Sequence, residues 1–146
     1  MAKFIRLDVM SGNKDNTQVK SAMYYDGSDA PAAVENGTIV AIGGLLDGER
    51  ELHKVVDATN ADTYVGIVTT PEVEYDEKGY HGIDTFANVA GEPVRVHVLH
   101  AGDVFSIGNS TDTTDMECGA NLVAKWLQTE TVGRHTYQVF EVQAKA

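Results

Sequence analysis

The chain has 146 residues, 42% hydrophobic and 23% charged, which leaves room for one core and excludes a wholly disordered polymer. Its formal charge of −11 repels phosphate backbones and anionic lipid, and no run approaches the ~18 apolar residues of a membrane span, so neither nucleic acid nor membrane is an expected partner. Cys118 has no second cysteine to pair with, and the start Met-Ala-Lys-Phe-Ile-Arg-Leu-Asp lacks the apolar stretch of a signal peptide; synthesis in a reducing cytoplasm is expected.

Lys3 to Val9 alternates, with Ile5, Leu7 and Val9 on one face and Phe4, Arg6 and Asp8 on the other, which predicts a strand. It gives way to the polar stretch Ser11 to Gln18. Ala22-Met23-Tyr24-Tyr25 is a second apolar patch, and the turn formers Asp26-Gly27-Ser28-Asp29-Ala30-Pro31 read as a linker. Residues 1–36 carry four basic against five acidic side chains, so ten of the eleven net negative charges fall on the remaining 110 residues. The expected division is an N-terminal arm and linker over residues 1–35 and a body over residues 36–146.

In the body, predicted strands follow one another: Thr38 to Ile42, Glu51 to Val56, Tyr64 to Val68, Val94 to Leu99, Val104 to Ile107, Leu122 to Leu127 and Tyr137 to Val142. They are rich in Val and Ile and separated by Gly, Asp, Asn or Pro, the pattern of all-β sandwiches and small barrels. Val94, Val96 and Val98 alternate with Arg95, His97 and Leu99, and Leu46-Asp47-Gly48-Glu49 supplies a hairpin turn. The acidic segment Pro71 to Gly82 reads as a solvated loop or long hairpin. Short helices are compatible only with Asp84 to Ala90 and Asp112 to Ala120.

Candidate chemistry is sparse. His97 and His100, followed by Asp103, have a metal-ligand spacing for a helix, but on a strand residues three apart point to opposite faces. An exposed His97 and a strand-end His100 are expected instead. Asp112, Asp115 and Glu117 offer hard oxygens but lack the EF-hand spacing and its turn glycine, so Asx-turns or a helix cap are expected. Cys118 reads as a small buried thiol, and Trp126, at alternate positions from Leu122 and Ala124, as core. The chain has no nucleophile elbow, phosphate-binding loop or dinucleotide fingerprint. Gly82-Ile83-Asp84 and Ala101-Gly102-Asp103 resemble fragments of trimeric dUTPase motifs, but in reversed order and without the Gly-Arg-Ser element.

Asn36-Gly37-Thr38-Ile39-Val40, Lys54-Val55-Val56-Asp57-Ala58-Thr59, Val65-Gly66-Ile67-Val68 and Gly91-Glu92-Pro93-Val94-Arg95-Val96 together resemble the small β-barrel decoration, or cement, proteins of tailed-bacteriophage heads. The similar region covers residues 36–108. It implies a small β-tulip-like barrel with an extended N-terminal arm, no enzymatic activity and no cofactor. It further implies a place on the capsid outer surface of the virion, with the major capsid protein and further copies in a homotrimer as partners. Lys3, Phe4, Ile5, Arg6, Leu7 and Val9 would then be the arm residues that contact capsid or neighbour. The residues themselves leave open that Lys3 to Val9 is the first strand of its own barrel, because a strand pairs with its own sheet or a partner's by the same bonds. Two other classes stay open: a small trimeric β-rich hydrolase with an inter-subunit site, and a host-surface-binding β-barrel module.

Overall fold

A computed structural model describes residues 4–9, 19–46, 48, 52–70 and 88–145, the side chains of residues 8 and 9 excepted. The described residues form ten strands and no helix: β1 (Phe4–Val9), β2 (Val19–Tyr24), β3 (Ile39–Leu45), β4 (Leu52–Asp57), β5 (Val65–Val68), β6 (Val94–Val98), β7 (Val104–Gly108), β8 (Met116–Cys118), β9 (Leu122–Val132) and β10 (His135–Ala144). The protein is all-β, as the succession of short β-branched segments predicts.

Five strands close into a barrel in the order β2-β4-β3-β5-β6. β2 completes the wall, antiparallel to β6 with Ala22 opposite Val94 and parallel to β4 with Met23 opposite Lys54. The interior is filled by Ala22, Val40, Ile42, Val55, Val68, Val94, Val96 and Val98. Five strands enclose a narrow lumen, which suits short branched side chains. Near one end, Asn88 Nδ2 donates to Val34 O and Asn36 Oδ1, both at 3.0 Å, and Asn36 Nδ2 donates to Thr70 O at 2.8 Å. These buried amides satisfy backbone groups that the ladder does not reach.

The other five strands form an antiparallel sheet in the order β1-β7-β10-β9-β8. One face of this sheet lies on the outer wall of the barrel. Val65, Ile67 and Leu99 meet Phe105, Ile107, Ala124, Phe140 and Val142 in a second apolar cluster, in which the Phe105 and Phe140 rings stack at 5.8 Å. All four residues of β5 are therefore buried. A strand covered on both faces reads as a continuous apolar run, as Val-Gly-Ile-Val does. The β8–β9 turn docks on the barrel through Gly119, at φ 82°, where an added Cβ would sit 2.3 Å from Asp62 O. The next residue, Ala120, donates its N–H to that same oxygen at 2.7 Å.

The division at residue 36 does not separate an arm from a body. β1 pairs with β7 of its own chain, Ile5 opposite Ile107, and β2 belongs to the barrel wall. The reason is that both faces of β1 find cover. Ile5 packs against the seam cluster, and Phe4, 1% exposed, lies over Gly108. The turn formers after Tyr25 build a tight turn in place of a linker, with Asp26 Oδ1 accepting from the N–H groups of Ser28 and Ala30. Over Asp112 to Ala120 the chain forms an Asx-turn, Asp112 Oδ1 accepting from Thr114 N–H at 2.9 Å, and then β8, not a helix. Asn88, within the other candidate helix, makes a bridge to Val34. Most of that helix, Ser11 to Gln18 and Pro71 to Gly82 lie outside the described residues.

Candidate interaction surface

Two long strands make the most exposed part of the sheet. β9 and β10 pair from Leu122 opposite Ala144 out to Val132 opposite His135, and turn at Gly133, φ 61°. From Lys125 to Arg134 every residue except the half-buried Glu130 is exposed. The register slips between Val139 and Phe140: Trp126 faces Phe140 and Gln128 faces Val139, so Leu127 is an extra, bulged residue. Leu127 is 47% exposed, Val132 50% and Trp126 36%, which puts three large apolar side chains on one hairpin.

Buried and charged groups hold that hairpin in place. Gln138, 3% exposed, accepts at Oε1 from Trp126 Nε1 (2.9 Å) and Thr129 Oγ1 (2.8 Å), and donates from Nε2 to Ser110 O (3.0 Å). The edge strand β8 stops at Met116, opposite Ala124, and the Asp115 carboxylate replaces it by accepting the Trp126 N–H at 3.0 Å. That bond first, then Lys125 at 3.3 Å, keeps the Asp115 carboxyl below its ordinary value. From β1, the Arg6 guanidinium donates to both carboxylate oxygens of Glu130 and to Ser106 Oγ, each at 3.1 Å. It also lies 4.6 Å above the Tyr137 ring. Glu130 is in turn held below the usual carboxylate range by these Arg6 hydrogen bonds and charge. A bidentate guanidinium on an aromatic face fixes geometry in a way that a lone lysine would not. The surface is therefore pre-organised, so little ordering cost remains for a partner to meet.

The arm residues take these positions: Phe4 meets the rings of His135 and Tyr137 edge-on at 5.1 and 5.4 Å, Ile5 packs on the seam, Arg6 clamps the hairpin, and Leu7 is 40% exposed. Lys3 and the side chain of Val9 lie outside the described residues. Trp126 is not core. It shares a face with Ala124 and Phe140, but the seam's cover stops at Ala124, which is fully buried. His97, expected in solvent, is 4% exposed, because the second face of β6 is covered as well. His100 is exposed, and its N–H donates to Asp103 Oδ2 at 2.9 Å. Among the described residues no group of three or more His, Cys, Asp or Glu is placed to hold a metal ion. Cys118 is buried, as expected, and burial pushes its thiol up to about 11, so it stays protonated and unreactive at neutral pH.

Sequence reasoning stopped β9 at Leu127 and began β10 at Tyr137, and so missed the hairpin. The signal was present: the β-formers Thr129, Thr131 and Val132 run up to Gly133-Arg134, with a matching run from His135. No family model, no curated protein and no solved structure matches the chain.

Proposed function

We propose that the protein is a non-enzymatic structural protein that binds the outer surface of an icosahedral phage head, as a homotrimer on the major capsid protein, and stabilises the shell. The observation that carries this reading is the clamped β9–β10 hairpin, which presents Trp126, Leu127 and Val132 to solvent. Large apolar side chains left exposed on a rigid, pre-organised strand pair can serve as anchors for a protein partner. The sequence resemblance over residues 36–108 supplies the kind of partner. Stabilisation follows from mass action: a protein that binds only the assembled lattice lowers the free energy of that state, and several contacts per trimer multiply a modest affinity.

The test is co-sedimentation of the purified protein with shells assembled from the major capsid protein of the source phage, followed by electron microscopy. Density at regular lattice positions, and loss of binding in the doubly exposed variant Leu127→Asp with Val132→Asp at unchanged melting temperature, is the expected result. Failure to bind shells, or signal confined to a tail tip, refutes the reading.

A further inference from the structure

The seam between barrel and sheet is mostly apolar, and His97 is buried at its margin. His97 lies on β6 opposite Ile67 of β5 and Val19 of β2, on the barrel face that carries Ile67 and Leu99 into the seam cluster. Its Nδ1 is 2.6 Å from Thr69 Oγ1, and Thr69 is itself 5% exposed. Next in the chain comes the crossover from Leu99 to Asp103, which carries the chain out of the barrel into the sheet. That crossover is tied to β10 by two backbone bonds of 2.8 Å, Gly102 N–H to Val142 O and Val142 N–H to Asp103 O. His97 thus sits beside two residues that enter the seam, Ile67 and Leu99, and just before the crossover that carries the chain into the sheet.

We propose that protonation of His97 releases the second sheet from the barrel, making the seam an acid-sensitive joint while the barrel itself stays closed. A cation at this position has lost nearly all its water; Thr69 Oγ1, 2.6 Å from Nδ1, can accept one bond from it, but the neighbouring Ile67 and Leu99 offer nothing for the rest. Two charged groups act on the ring. Arg95, two residues back on the same face, repels a proton, and Asp103 in the crossover attracts one; β5 and β2 face it with Ile67, Thr69 and Val19, which carry no charge. Burial is the largest influence, and with Arg95 it outweighs Asp103, so the ring binds its proton more weakly than a free histidine. Stability from the neutral ring is therefore complete above the ordinary histidine value and is lost as pH falls below it. The barrel interior, Ala22, Val34, Val40, Ile42, Val55, Val68, Val94, Val96 and Val98, contains no side chain that titrates there.

The experiment is hydrogen exchange, corrected for intrinsic rates, on the full chain from pH 7.5 to 4.5, for the wild type and His97→Gln. One proton gives up to about a tenfold loss of protection per pH unit. The expected result is that loss in β7 and β10 of the wild type, with β3 unchanged, and a flat profile in His97→Gln. Equal acid loss in His97→Gln overturns the proposal, and so does simultaneous loss from β3 and β10 in the wild type. Should His97→Gln not fold, the wild-type ring titration followed by NMR decides. A ring midpoint below the free-histidine value, with the loss in β10 confined between that value and the midpoint, sustains the joint, and an unshifted midpoint or a loss outside that window overturns it.

Discussion

Truncating Phe4 to alanine tests whether β1 is a fixed strand of its own sheet, and Gly108 makes the test quantitative. Phe4 is 1% exposed and contacts two aromatic rings; losing a buried phenylalanine costs about 3–5 kcal/mol, with the lower end apt for an edge strand that can settle into the gap. A Cβ added at Gly108 would lie 2.2 and 2.4 Å from Phe4 Cε2 and Cζ, so the ring must lift away, at a cost of about 1–3 kcal/mol. In a Phe4→Ala background that obstruction is gone. Gly108→Ala should then be neutral or stabilising by about 0.4–1 kcal/mol, because alanine restricts the unfolded chain. The cycle thus predicts a coupling of about 2 kcal/mol, well outside the additivity expected of independent sites. Guanidinium unfolding of the four proteins, compared at equal slope, measures it. If Phe4→Ala costs less than about 0.5 kcal/mol, or Gly108→Ala costs the same in both backgrounds, Phe4 does not sit on Gly108 and β1 takes its partner elsewhere.

Gly66→Ala, whose Cβ would meet Val96 Cγ1 at 2.5 Å and the fixed His97 O at 2.6 Å, should cost at least about 2 kcal/mol by overpacking. Gly44→Ala, with no atom within 4 Å of its Cβ, should leave the thermal midpoint where it was. Cys118, its thiol pushed up to about 11 by burial, should resist a thiol reagent at pH 8 in the native protein and react at once when unfolded; fast native labelling would contradict the buried site. Tyr24, raised to about 12 chiefly by burial and then by its hydrogen bond to Asp57, binds its proton more tightly folded than unfolded. Its contribution to stability is full below about pH 10 and is lost as pH rises from there to 12. Tyr24→Phe should flatten that part of the alkaline denaturation profile.

The barrel decoration reading and the acid joint make separate demands on the molecule. Hairpin variants at Leu127 and Val132 change what the surface offers a partner without touching the seam. His97 variants change the seam and leave the hairpin's apolar residues in place. A protein that binds shells but shows no acid release, or the reverse, is therefore interpretable.

What the sequence determined by itself is local. The positions of most strands follow from β-branched runs, and the turn formers after Tyr25 mark a turn through the conformations open to Asp and Gly. Alternation also sorted neighbours onto opposite faces correctly: Val94, Val96 and Val98 do share one side of β6. Only the tertiary structure decided what lies against each side. Periodicity says that His97 and Leu99 face away from those valines, but not that both are buried there or that a second sheet covers Leu99. It says that Trp126 aligns with Ala124, but not that the cover ends between them. The partner of β1 was equally beyond reach, since any edge offers the same backbone bonds. Its place is settled by contacts such as Arg6 with Glu130, 124 residues apart. Strand propensity is a property of a few adjacent residues, whereas burial and pairing depend on segments that meet only once the whole chain has closed.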